Sequence, residues 1–415
     1  MKIFVVLKSI AKKSKVLRIF IRNIMYGIEK INYKLIGLTV KEDEKSIVFG
    51  AYNGKSYACS PKAVYEYMLK DDFFSDYKFV WLFENPDDHL DLQNNKNTVL
   101  VKNRTKLCKK YLHTARYIIL NYRAPDYWTP AKKQVYIQCW HGTPLKRLGY
   151  DILTSDNAMN SIEEIQKKYK TDALRINYLL SSCKFTTEKF ATAWNLENFN
   201  KKDALIEIGY PRNDILSKYT QEQVEKIKVK LGLLNSEKKI ILYAPTWRDN
   251  QYDASKGYVY SNPVDFDLLN KKLSDDYIIL FRAHYMVANH FDFKQYEGFI
   301  YDVSDYDDIN ELYIISDYLI TDYSSVFFDY AILERPIFFY MYDMDEYANE
   351  MRGFYIDVNE LPGPIVKTET ELIKAIKANS KDNYKEMLRE FNCKYNEKND
   401  GKAAERLADI IKSMK

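Results

Sequence analysis

Short β-rich apolar runs alternate with segments of helical spacing along almost the whole chain, and that alternation restricts the fold more than any other property of the sequence. The first half carries "SIVFG" (46–50), "KFVWLF" (78–83), "NTVLV" (97–101), "RYIILNY" (116–122), "QVYIQCW" (134–140), "YLLSS" (178–182) and "ALIEIG" (204–209). The second half carries "KIILYAP" (239–245), "YIILF" (277–281), "FIYDV" (299–303), "DYLIT" (317–321) and "PIFFY" (336–340). Runs this uniformly apolar suit strands covered on both faces, and helices between them supply the crossovers of a parallel sheet. The fold class is therefore α/β, with αβα layers. In such sheets ligands bind beyond the carboxyl ends of the strands, so the post-strand segments are where chemistry belongs.

At 415 residues the chain exceeds one ordinary core and suits two domains. The polar helical stretch "YPRNDILSKYTQEQVEKIKVKLGLL" (210–234) marks the boundary, giving a first domain over 41–215 and a second over 216–415. Residues 1–40 stand apart: they hold nine Lys or Arg against the single acid Glu29, although the net charge of the whole chain is only +4. Their apolar groups are too short for the ~20 residues that cross a bilayer, and Lys8 breaks the pattern of a signal peptide. A basic amphipathic segment on an anionic membrane surface is the expectation, with an ordinary solvated first helix as the alternative. No nucleic-acid motif accompanies the basic cluster, so no nucleic-acid partner is expected. The five cysteines are dispersed, odd in number and without metal-ligand spacing, which suits reduced thiols.

Several strand exits carry polar residues. "QCWHGTPLKRLGYD" (138–151) puts His141 at a strand end beside Gly142, which permits close backbone approach. Thr143 and Pro144 suit the opening of a helix, with Lys146 and Arg147 one turn in, together an anion site. His141 equally suits a strand cap or a polar pocket. "LYAPTWRDN" offers Thr246 and Arg248 to a phosphate and Trp247 for stacking or packing. "LFRAHY" sets Arg282 and His284 on one face of an extended segment. "DYLITDYSSVFFDYAIL" is strand, turn and helix, with Ser324 and Ser325 at the helix start, where free N–H groups bind phosphate oxygens, unless Ser324 is only a cap. Asp329, four residues on, can accept from a polyol hydroxyl. "IGYPRNDIL" offers Arg212 to a phosphate across the interdomain cleft, while Asn213 and Asp214 suit turns and the cap of the next helix. The remaining histidines, His89 and His113, lie in bland settings and His290 in a loop. Asp302, Asp305, Asp307 and Asp308 precede a helix whose dipole favours acids, and they lack the pattern of a calcium loop, so no metal and no cofactor is expected. Walker, GxGxxG, HExxH and GxSxG patterns are absent.

Together "NGKSYACSPKAVYEYML", "QCWHGTPLKRLGYD", "GYPRNDIL", "LYAPTWRD", "FRAHY", "DVSDYDDINELYIISDYLITDYSSVFFDYAILERPIFFY" and "RGFYIDVNELPGPIV" resemble, in order and over about residues 46–366, the blocks of the CDP-glycerol glycerophosphotransferases of teichoic acid synthesis. Cys59 stands where that family usually has an acid or polar residue. The resemblance implies a GT-B fold of two Rossmann-like domains facing a central cleft, in a peripheral enzyme at the cytoplasmic face of the cell membrane. It also implies CDP-glycerol as donor, a polyprenyl diphosphate-linked glycerol-phosphate acceptor, and CMP as leaving group. Carried over by motif, the donor-binding residues are Trp140, Gly142, Thr143, Pro144, Arg212, Pro245, Thr246, Arg282, Ala283, Ser324, Ser325 and Asp329. His141 is assigned as general base, with His284 and Arg282 stabilising the pyrophosphate and leaving CMP; spacing leaves the two histidine roles interchangeable. Ribitol-phosphate transfer from CDP-ribitol, sugar transfer from a nucleotide sugar, and a catalytically silent membrane scaffold are the alternatives.

Overall fold

The computed structural model describes residues 15–153, 161–246, 252–253, 257–258, 264–283, 292–344, 353–378 and 384–414. Its first sheet is built from β1 (Asp43–Gly50), β2 (Lys78–Phe83), β3 (Thr98–Lys102), β4 (Ala115–Leu120), β5 (Val135–Gln138), β6 (Tyr178–Ser181) and β7 (Leu205–Glu207), in the order 3-2-1-4-5-6-7. Every pairing in it is parallel. After β8 (Lys239–Ala244) comes a small antiparallel pair, β9 (Tyr252–Asp253) and β10 (Gly257–Tyr258). The second parallel sheet then adds β11 (Tyr277–Phe281), β12 (Ile300–Asp302), β13 (Tyr318–Thr321), β14 (Ile337–Tyr340) and β15 (Ile365–Val366), in the order 12-11-8-13-14-15.

The apolar runs form strands because each face has a separate core to fill. Along β1, Val48 packs on one side while Ile47 and Phe49 pack on the other. In β8, Ile240, Leu242 and Ala244 face one core and Ile241 and Tyr243 the opposite one. This period of two with both faces buried explains why the strands lack polar alternation. Both sheets reverse direction beside their first strand, between β1 and β4 and between β8 and β13. That topology opens a crevice at each switch point.

The segment 142–148, expected to begin a helix, is instead an extended strap that crosses to the second unit. Leu145 is buried in that unit's core, Lys146 forms a β-bridge with Phe354, and the Arg147 N–H donates to the Gly353 carbonyl at 3.0 Å. Inter-unit pairing satisfies the backbone groups that a first helical turn would leave open. The chain also returns at its end. The last helix, Ala403–Ser413, packs Ala404, Leu407, Ala408 and Ile411 into the first unit's core. Asp214 caps that distant helix, accepting from the Ala403 and Ala404 N–H groups at 3.0 and 2.8 Å.

The first described helix, Lys15–Gly37, docks on the helix Lys106–Thr114 through Tyr33, whose ring stacks on His113 with centroids 3.6 Å apart. Glu29 pairs with Lys109 beside it. The opposite side leaves Ile24, Ile28, Ile31 and Leu35 exposed at 48%, 60%, 62% and 58%. Residues 1–14 of the basic segment lie outside the described residues. Among the described residues no helix is long and apolar enough to cross a membrane.

Leu407 is fully buried in a core built mainly by the other end of the chain. Leu407→Ala is expected to lower stability by about 2–5 kcal/mol, read by denaturant unfolding of the full chain. A change below about 0.5 kcal/mol, the level of a surface substitution, contradicts that placement.

Candidate active site

The carboxyl ends of β1, β5, β8, β11 and β13 converge on one cleft of about 210 Å³ between the units. Of the residues singled out from sequence, His141, Arg212, Pro245, Arg282, Ala283, Ser324, Ser325 and Asp329 line it. Trp140, Gly142, Thr143, Pro144 and Thr246 lie behind this wall. His284 and His290, with Trp247 and Arg248, lie outside the described residues.

His141 is set by the end of β4. Its Nδ1 lies 2.9 Å from the Asn121 carbonyl, which can only accept, so Nδ1 carries the proton and Nε2 keeps its lone pair in the neutral ring. Its ring stacks on Trp140, with centroids 4.3 Å apart. Trp140 adopts φ +51°, an uncommon backbone state for a large side chain, and its N–H donates to Gln138 Oε1 at 2.9 Å. His141 remains open to solvent within the cleft, yet protein crowds the ring from several sides. That crowding lowers its pKa from the ordinary histidine value, the Asn121 carbonyl partly offsets the shift, and the nearby Arg212 charge lowers it further.

Arg212 and Asp329 form a buried ion pair between the units, 4% and 5% exposed. Arg212 Nε and Nη2 donate to the two carboxylate oxygens at 2.9 and 3.1 Å, and Asn213 Nδ2 donates to Asp329 Oδ1 at 2.7 Å. Burial opposes the charge on Arg212, but the Asp329 carboxylate overrides it and raises the pKa. The carboxylate expected to meet a polyol hydroxyl is thus held by Arg212 and Asn213. Arg212 also stacks on Tyr210, its Cζ 4.0 Å from the ring centroid.

Thr246 turns inward, its hydroxyl donating to Asp322 Oδ1 at 2.6 Å, where the Thr246 and Tyr323 N–H groups also bond. This ties the turns after β8 and β13 together behind Pro245. Thr143 is 1% exposed and its hydroxyl has no hydrogen-bond partner among the described residues. Gly142 faces Ser325 so closely that a Cβ there would sit 2.7 Å from Ser325 Oγ. Ser325 opens the helix Val326–Tyr330 without a side-chain cap bond, so its hydroxyl is not consumed by capping. Arg282 Nη1 donates to the Val303 and Tyr306 carbonyls at 2.9 and 2.6 Å, which fixes the side chain beside the cleft.

Sequence reasoning assigned no role to Tyr52, Lys55, Ser56 and Cys59 after β1 or to Asn310, and gave Asp307 and Asp308 only a place before a helix, yet all line the cleft. The signal for them was their position just past two strand ends. The acids after β12 are occupied: Asp308 caps the helix Ile309–Ile315 and, with Glu311, binds Lys62 from the other unit at 2.9 and 2.7 Å. His89 approaches Asp307 at 3.8 Å across the same boundary. Among the described residues no group of three His, Cys, Asp or Glu side chains is arranged to hold a metal ion.

Two parallel sheets whose switch points share one histidine-bearing cleft define the class of two-lobed α/β proteins. Comparison with known proteins carries this to a family: residues 33–413 match the profile described as CDP-Glycerol:Poly(glycerophosphate) glycerophosphotransferase, and the chain belongs to that family. A teichoic acid poly(glycerol phosphate) polymerase of Bacillus spizizenii strain W23 is 39% identical over 376 residues, 90% of this chain and 92% of its own. One from Staphylococcus epidermidis is 39% identical over 94% of this chain, which spans only 54% of that relative. The solved wall teichoic acid polymerase TagF superposes with a TM-score of 0.82 at 37% identity, covering 98% of both chains.

Removing the charge at Asp329 strands a buried guanidinium. Asp329→Asn is expected to cost about 3–5 kcal/mol in denaturant unfolding, whereas Arg212→Met combined with Asp329→Leu is expected to cost clearly less, because no unpaired charge remains. Equal losses in the two variants contradict the pairing.

Proposed function

We propose that the protein transfers glycerol phosphate from CDP-glycerol to the hydroxyl end of a polyprenyl diphosphate-linked teichoic acid precursor, releasing CMP, from a GT-B type arrangement of its two units. The observation that carries this beyond family membership is the orientation of His141. A ring whose Nδ1–H is bound by the Asn121 carbonyl presents a basic Nε2 in a cleft that also holds Arg212, Arg282 and the helix-start serines. In this reading Nε2 takes the proton of the acceptor hydroxyl, whose oxygen attacks the β-phosphorus of the donor. The bond from that phosphorus to the bridging oxygen breaks, and CMP leaves with the electron pair. Ser324 and Ser325 seat the phosphate oxygens, and Arg282 with His284 stabilises the leaving phosphate. The first unit is the acceptor side and the second the CDP-glycerol side.

The test is CMP release from CDP-glycerol, CDP-ribitol and a nucleotide sugar, each with a synthetic lipid acceptor. Release with CDP-glycerol is expected to dominate; preference for either other donor selects an alternative reading, and release from none supports a silent scaffold. His141→Ala is expected to lower turnover by roughly 10²–10⁴. Because the pKa of His141 is lowered, its neutral form persists to lower pH, so the acid limb of kcat/KM is expected below about pH 6.5 and absent from the variant. Near-normal turnover by His141→Ala excludes it as the base.

We also propose that the helix Lys15–Gly37 lies on an anionic membrane surface at the cytoplasmic face. Support comes from the Ile24, Ile28, Ile31 and Leu35 stripe, which is exposed on the side away from Tyr33 and Ile36 and accompanied by the exposed Lys30 and Lys34. Ile28→Glu with Ile31→Glu is expected to weaken co-sedimentation with anionic vesicles by at least about ten-fold. Unchanged sedimentation overturns this placement.

A further inference from the structure

The backbone that leaves His141 is fastened by a distant part of the chain. Gly142, Thr143, Pro144 and Leu145 are all buried, and Leu145 ends in the second unit's core. There its carbonyl accepts from the Tyr355 N–H at 2.8 Å, next to the bond between Arg147 and Gly353. Tyr355 then takes hold of the strap a second time. Its hydroxyl accepts from the Leu148 N–H at 3.1 Å and donates to Asp151 Oδ2 at 2.5 Å. Asp151 Oδ2 also accepts from the Thr192 hydroxyl at 2.6 Å, on the first unit's helix Lys184–Ala193. One residue of the second unit thus grips the strap at residues 145 and 148 and, through Asp151, reaches the body of the first unit.

The strap has little slack between that grip and the histidine. An extended chain spans at most about 14 Å over four residues, so a displacement at Leu145 is passed on to His141. Gly142 cannot absorb it by moving toward the second unit, because its backbone already lies against Ser325. Beyond the grip, Gly149 turns at φ +49° with its backbone pressed against the Ala193 carbonyl, where a Cβ would collide. The contacts of the His141 ring with the Asn121 carbonyl and Trp140 all lie in the first unit. They orient the ring but do not set its distance from the second unit's wall. The strap sets that distance.

We infer that Tyr355, which is not among the residues lining the cleft, is a positioning residue for His141, an inference that rests on the reading of His141 as the base. Its grip on the strap fixes how far the base stands from the wall where the donor is held in that reading. A base and a phosphorus carried by separate units need such a spacer, since a misplacement of about 1 Å costs roughly 10² in rate.

Phe in place of Tyr355 retains the ring, whose centroid lies 5.8 Å from both Arg147 Cζ and Lys189 Nζ, so Tyr355→Phe removes the hydroxyl alone. In the full chain this variant is expected to lower kcat for CMP release by roughly ten-fold or more, with KM for CDP-glycerol within about two-fold. In a His141→Ala background the same substitution is expected to change turnover by less than about two-fold, because no base remains to be positioned. Asp151→Ala breaks the same bond from its other partner and is expected to lower kcat in the same direction. Amide hydrogen exchange over residues 142–148 is expected to quicken in Tyr355→Phe. Unchanged kcat in both single variants, an equal fall with and without His141, or unchanged exchange overturns the positioning role. Wild-type protein that releases no CMP from any donor refutes the transferase reading, whereas quickened exchange in Tyr355→Phe still upholds the grip on the strap.

Discussion

The two sheets have separate cores, so their mutual orientation depends on what crosses between them, and the buried pairing of Arg212 with Asp329 is the central charged contact of this kind among the described residues. Three consecutive residues at the unit boundary divide the task. Arg212 and Asn213 reach the helix of the second unit, while Asp214 reaches the start of the last helix. A well-packed apolar contact could join the units with comparable stability. It would not fix the hydrogen-bonded register that Arg212, Asn213 and Asp329 set between the two walls of the cleft. Lys62 with Asp308 and Glu311 adds a second, more peripheral link in the same sense.

Four uncommon backbone states lie near this boundary. Tyr52, Asn53, Cys59 and Trp140 all have left-handed φ values, between +47° and +64°. Tyr52 and Asn53 follow β1, Trp140 follows β5, and Cys59 opens the helix Cys59–Met68. The surrounding bonds hold them there: Asn121 Oδ1 accepts from the Tyr52 N–H at 2.8 Å, and Gln138 accepts from that of Trp140. Backbone states of this kind persist only where neighbouring structure over-determines them. The end of β4 is central, because Asn121 uses its side chain on one of these turns and its carbonyl on the His141 ring.

Much of this was legible in the sequence, and the limits have physical causes. "KFVWLF" and "YIILF" coincide with β2 and β11 because strands covered on both faces leave an uninterrupted apolar signal. Strand-exit reasoning likewise reached His141, Arg212, Arg282 and the two serines, all of which meet in one cleft. The segment after His141 misled because Thr143-Pro144 suits a helix start locally, whereas its backbone is satisfied by the other unit, which periodicity does not register. Asp329 shows a related limit: its protein partners lie 116 and 117 positions away, which local spacing does not register. Asp214 caps a helix 189 positions on rather than its own. Local spacing identifies what a residue offers, but long-range packing decides which partner takes the offer.

The return of the final helix to the first unit bears on how the polypeptide matures during synthesis. The Tyr117 hydroxyl meets the Ile411 carbonyl across 294 positions, so the first sheet keeps an uncovered apolar flank until residues 403–413 have been synthesised. The second unit can close its own sheet before then. Nascent fragments that lack this helix are therefore the species most in need of chaperone shielding, and a stop before residue 403 would harm the unit that was translated first.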